Sequence, residues 1–158
     1  MTCSNNKFSP IFYSTISKRK YHIINTYSVP LSCSSTNVIY LVTCDRCNIQ
    51  YVGETSQRLN LRNNNHRSCL KKDKQTLLYE HFNGKMGCSM VHFKMQPIEQ
   101  ILEDGNKKLR LERESFWIKE LRTLTPYGLN DRLDSVNWRY RSRDDIAGRC
   151  FNALHISR

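Results

Sequence analysis

The chain has 158 residues, room for one domain with flanking arms and too little for two full domains. Lys and Arg number 25 against 14 Asp and Glu, a formal charge of +11 with a pI near 9.5, which disfavours cationic and apolar partners and favours polyanions, nucleic acid first. No apolar run approaches the roughly 18 residues of a membrane span. The seven cysteines are an odd number and the opening MTCSNNKFSP lacks a basic start followed by an apolar core. The expectation is a soluble chain in a reducing compartment, where a close cysteine pair binds metal or does redox work more often than it forms a structural bridge.

Residues 1–32 are rich in Ser, Asn, Thr and Tyr around a basic knot, SKRKYH, with no sustained period. They are expected to form a basic, partly disordered arm. The pattern changes at Asn37. VIYLVTC is apolar on both faces, as a central buried strand requires, and IQYVGET alternates more. The link at 45–48 is short enough for a hairpin. Ser56 then reads as the N-cap of a helix running towards Lys72, on which Arg62 and His66 stand four apart and share a face. A second helical piece, QTLLYEHF, should end at Asn83 and Gly84, and MVHFKMQPI reads as a strand closed by Pro97. NKKLRLERESFWIKELRTL is the strongest helix, stopped by Pro126 and Gly128. The folded domain is placed at 33–134, and the basic tail at 135–158 has no assignable element.

On that last helix Leu111, Ile118 and Leu121 mark an apolar stripe, and Glu114 falls within it. A buried carboxylate needs a cation beside it, either Arg or Lys in a structural salt bridge or a metal ion. Cys44 and Cys47 can present two thiolates to one tetrahedral Zn²⁺, which needs two more ligands. His81 and His92 are the candidates, giving C-x2-C-x33-H-x10-H, with His22, Cys33, Cys69 and Cys88 as substitutes. Tyr40, Tyr51, Arg62, His66 and Glu114 together supply what phosphodiester hydrolysis needs: a group to position or deprotonate water, a cation for the phosphate, and a carboxylate for a metal.

VIY at 38–40 followed by YVG at 51–53 resembles the paired signature of the GIY-YIG nucleases. RNNNH, RESFWIKEL and PYGLN follow in that family's order. Over residues 33–130 the chain resembles, more narrowly, the endonuclease domain of Penelope-like retroelements. Val38 stands where the family name has Gly, which is ordinary in that subgroup. The resemblance implies a small α/β (α+β) domain, a three-stranded antiparallel sheet flanked by helices, acting as a metal-dependent DNA endonuclease of the retroelement nicking type. It implies that Tyr40 and Tyr51 line the cleft, that Arg62 stabilises phosphate charge, and that His66 bonds a tyrosine or phosphate. Glu114 would hold one Mg²⁺ or Mn²⁺, Asn130 would fix the site from the far end of the chain, and Cys44, Cys47, His81 and His92 would hold structural Zn²⁺. The implied partner is DNA, with a reverse transcriptase encoded elsewhere, no membrane, and a nuclear or otherwise cytoplasmic location. Two other readings stay open: a catalytically silent, zinc-stabilised DNA-binding module, and a host repair or branch-cutting nuclease of the same superfamily.

Overall fold

The computed structural model describes residues 8–25, 30–70, 72, 76–102 and 106–131. The element order is β1 (Ile11–Tyr13), β2 (Lys20–His22), β3 (Val38–Cys44), β4 (Gln50–Thr55), α1 (Leu59–Leu70), α2 (Leu77–Phe82), a single 3₁₀ turn (Met90–His92), β5 (Phe93–Gln100) and α3 (Lys107–Leu121). β3 is the centre of a three-stranded antiparallel sheet in the order β4-β3-β5, the expected α+β architecture. Its apolar run on both faces is explained by its neighbours. Val38, Tyr40, Val42 and Cys44 face a core shared with α1 and α2, while Ile39 and Leu41 face a second core shared with α3.

Several boundaries differ from the sequence reading. α1 begins at Leu59 rather than after Ser56. β5 runs through Pro97 instead of ending there, with a register shift opposite Ile39 and Tyr40. Proline is tolerated because β5 is an edge strand and a bulge absorbs the missing donor. α3 is capped by the Asn106 side chain, which accepts from the Leu109 N–H at 2.9 Å, and ends where Arg122 turns into the left-handed region at φ 57°.

The larger correction concerns the arm. Part of the span read as partly disordered, β1 and β2, forms an antiparallel hairpin that belongs to the second core. Phe12 is 3% exposed, and its ring meets Trp117 edge-on at 5.2 Å and Tyr21 at 5.5 Å. Ser14 Oγ donates to the carbonyl of Leu121 at the end of α3. Gln50 then ties the hairpin to β4, accepting from Thr15 N–H and donating to the Tyr13 carbonyl. Ile24 adds a short parallel bridge to β5. The domain thus starts well before residue 33. The tail at 135–158 lies outside the described residues, and among those described no helix is long and apolar enough to cross a membrane.

Phe12→Ala should therefore behave as a core truncation, costing about 3–5 kcal/mol. Urea denaturation checks this; a loss under about 0.5 kcal/mol, the range of a surface change, would return the hairpin to the status of an arm.

Candidate active site

The site grows from one cross-strand pair. Tyr40 on β3 lies opposite Gly53 on β4, and a Cβ at position 53 would overlap the Tyr40 hydroxyl. The bare glycine lets the phenol ring lie across β4 and reach α1. There its oxygen accepts from Arg62 Nε at 2.9 Å and lies 2.9 Å from His66 Nε2. Arg62 and His66 arrive together because residues four apart on a helix share a face. His66 Nδ1 in turn lies 3.1 Å from the hydroxyl of Tyr79 on α2. Tyr51 is half-buried beside them, its ring 6.4 Å from that of Tyr40 and 6.5 Å from that of His66.

Burial sets the protonation states. It raises the pKa of Tyr40, opposed by the Arg62 guanidinium and reinforced by Glu114 and Glu54. Burial also lifts Tyr51 well above the ordinary phenol value, with Tyr40 and then Glu114 adding to it. For His66 burial dominates and Arg62 adds to it, so the imidazole is held well below its ordinary value and is neutral. Arg62 remains charged, since the tyrosines around it more than offset its own burial. Glu114 acts on both tyrosines, raising each, so its carboxylate belongs to the same electrostatic cluster. It is 3% exposed, as its place in the α3 stripe predicts.

The two arginines on α3 are engaged elsewhere. Arg110 Nε donates to Glu54 Oε2 at 2.9 Å and its Nη1 to Asn37 Oδ1, while Arg113 Nε donates to both carboxylate oxygens of Glu99. Asn130 stands at the free edge of β4. Its Oδ1 accepts the Val52 N–H at 2.9 Å and its Nδ2 donates to the Val52 carbonyl at 2.8 Å. Thr123 fixes the amide by donating to the same Oδ1. One side chain thereby satisfies the edge peptide next to Tyr51, as a further strand would.

Beyond the turn, Cys44, Cys47, His81 and Cys88 bring their ligand atoms within 4.8 Å of one another. His92 is not in this group. Its Nδ1 accepts the Ser89 N–H at 3.1 Å, closing a capping box, although it sits close enough to lower the pKa of His81 further after burial has done so. Of the four substitutes, only Cys88 joins. Cys33 and Cys69 are disulfide-bonded, so the odd cysteine count did not exclude bridges, and His22 lies in β2. Cys88 is brought in by a reversal at Gly84 and Gly87, both with positive φ, where Gly84 N–H donates to the Cys88 carbonyl. Tyr79, which sequence reasoning missed, had no sharper signal than an aromatic in an apolar helix.

A small antiparallel α+β sheet with a phenol, guanidinium, imidazole and carboxylate gathered at β3, β4, α1 and α3 defines a phosphodiesterase-like catalytic domain. A family model described as the GIY-YIG catalytic domain matches residues 36–128, more than half of the chain, and the chain belongs to that family: it is a nuclease domain. Among solved structures, the catalytic domain of the homing endonuclease I-TevI is similar at 28% identity, covering 60% of this chain and 97% of that one, with a TM-score of 0.46. No curated protein matches the chain.

A pH dependence follows from His66. Its folded pKa is depressed below the ordinary 6.5, so its contribution to stability is complete above about pH 6.5 and is lost as the pH falls. There the unfolded chain takes up a proton that the folded chain refuses, at about 1.4 kcal/mol per pH unit. Urea midpoints at pH 7.5 and 5 should separate, and His66→Gln should narrow the gap. An unchanged gap would mean that His66 is not the titrating group.

Proposed function

We propose that the chain is a metal-dependent DNA endonuclease of the retroelement nicking type, carrying a structural Zn²⁺ next to its catalytic site. The observation that carries the nuclease chemistry is the buried Tyr40 hydroxyl held between Arg62 and His66 within the field of Glu114. A neutral buried phenol becomes a base only if its proton has somewhere to go and its oxygen a nearby cation. His66 Nε2 offers the first and Arg62 the second. Tyr40 would take a proton from the attacking water, and Arg62 would stabilise the negative charge that develops around phosphorus. Glu114, a buried carboxylate at the same cluster, fits a hard divalent cation. Mg²⁺ or Mn²⁺ held there would supply positive charge for the leaving oxygen.

Retroelement origin is supported by the motif order over residues 33–130 and by the cysteine pair between the two tyrosine motifs. The +11 charge favours DNA as substrate, and the basic residues at 18–20 with a DNA substrate favour the nucleus. A reverse transcriptase encoded elsewhere is the matching partner. The fit to zinc rests on the donor set. Ordinary tetrahedral bonds of about 2.3 Å put sulfurs about 3.8 Å apart, and Cys47 Sγ already lies 3.4 Å from His81 Nε2. Burial and the adjacent Cys44 and Cys47 push the Cys88 thiol up to about 11, a crowding of thiols that a bound cation would reverse.

With Mg²⁺ and supercoiled plasmid, Glu114→Gln should slow nicking a hundredfold or more, because the neutral amide cannot hold the ion. DNA affinity and melting temperature should stay near wild type. Nicking at the wild-type rate would show that Glu114 is misassigned; a variant that only unfolds would make the carboxylate structural.

Zinc has its own test. Freshly purified protein should contain about one zinc per chain, and Cys88→Ser should lower both zinc content and melting temperature sharply. His92→Ala should retain the metal. If His92→Ala loses zinc and Cys88→Ser keeps it, the fourth ligand is His92.

A further inference from the structure

The Tyr40 oxygen has two hydrogen-bond partners among the described residues, Arg62 Nε and His66 Nε2. A guanidinium can only donate. The hydroxyl proton of Tyr40, a residue with no exposed surface, therefore has one acceptor, the Nε2 lone pair. A neutral imidazole that accepts at Nε2 carries its own proton on Nδ1. That N–H is buried as well, and its partner is the Tyr79 oxygen at 3.1 Å. The opposite orientation, with Tyr79 donating to Nδ1 and Nε2–H pointing at Tyr40, would leave the Tyr40 proton buried with no acceptor. Leaving such a group unsatisfied is costly.

We propose that Tyr79 is a positioning residue of the nuclease: by accepting the Nδ1–H of His66 it fixes the tautomer that keeps a lone pair aimed at the Tyr40 hydroxyl. The hydrogen bonds then run in one direction, from Arg62 to Tyr40 to His66 to Tyr79. The inference rests on the reading of Tyr40 as the group that takes the proton from water. In that step the Tyr40 O–H bond breaks and an N–H bond forms at His66 Nε2. The phenolate oxygen so released takes the water proton, and the proton on His66 returns to solvent or product after cleavage. No oxidant or other co-reactant is needed.

Tyr79 is placed for this by its own helix end. The Thr76 side chain accepts the Tyr79 N–H at 3.2 Å and caps α2, which fixes the residue in the first turn. The Tyr79 ring packs with Leu78, Phe82 and Phe93 in the core, so Phe can replace it without emptying a cavity.

The test uses the full chain, wild type and Tyr79→Phe. Long-range proton–nitrogen spectra of His66 should show a single tautomer protonated at Nδ1 in the wild type, and a shift towards protonation at Nε2 in the variant. With plasmid and Mg²⁺, kcat should fall about tenfold, the scale of one neutral hydrogen bond, with KM little changed. Zinc content should not change, which guards against an effect relayed to His81 two residues on. A wild-type His66 protonated at Nε2 overturns the inference without any variant. So does a Tyr79→Phe protein with unchanged kcat, whatever its tautomer. Failure of the cleavage reading itself looks different: the wild type would not nick DNA, and the spectra alone would then decide the hydrogen-bond direction.

Discussion

The close approach of Tyr40 to the backbone of Gly53 is the contact on which the site depends. Tyr40 stands at the middle of the central strand, flanked by backbone on both sides, so its ring must lie over a neighbouring strand to reach the helices. Only a residue without a Cβ leaves that path open. Once the ring lies there, its oxygen is at the level of α1, and two residues one helical turn apart can hold it. The strand motif and the helix motif are thus two halves of one hydrogen-bonded unit.

α3 solves the complementary problem of carrying charge into a core. Arg110 and Glu114 are both nearly fully buried, four residues apart on one face, and Arg113 adds a third charge. The arginines are matched to Glu54 on β4 and Glu99 on β5, both with Nε–carboxylate distances of 2.9 Å. Isolated buried charges would be prohibitive, whereas paired and hydrogen-bonded ones are tolerated. These pairs set the height of α3 along the sheet and thereby the position of Glu114. Trp117 serves the same end, since its Nε1 donates to Glu99 while its ring receives Phe12 and Tyr21. The hairpin formed by β1 and β2 therefore braces the helix that carries the site's carboxylate.

Much of this was legible in the sequence where periodicity or spacing carries the signal. The two long apolar strands, the shared face of Arg62 and His66, and the carboxylate inside an apolar stripe all follow from local rules. The N-terminal hairpin did not show, because its strands are three residues long and Phe12 is their one fully buried residue. Cys88 was one of several open substitutes, since a reversal at two glycines cannot be measured by counting residues between ligands. Asn130 was placed by motif, but its work as a substitute strand for Val52 depends on a long-range contact that no local pattern contains. Tyr79 was invisible for the same reason.

α2 joins the two clusters. A six-residue helix has little stability of its own, so its position is set by what grips it. Leu78 and Phe82 bury into the core, Thr76 caps its start, Tyr79 meets His66, and His81 meets Cys47. Tyr79 and His81 are two residues apart and point to different clusters, as that spacing on a helix requires. β3 makes the matching connection on the sheet side, since Tyr40 and Cys44 lie on the same face of one strand. Any force that fixes His81 against Cys44 and Cys47 therefore also fixes Tyr79 against His66. The thiol–imidazole cluster is thus coupled to the hydrogen bonds of Tyr40 through α2 and β3.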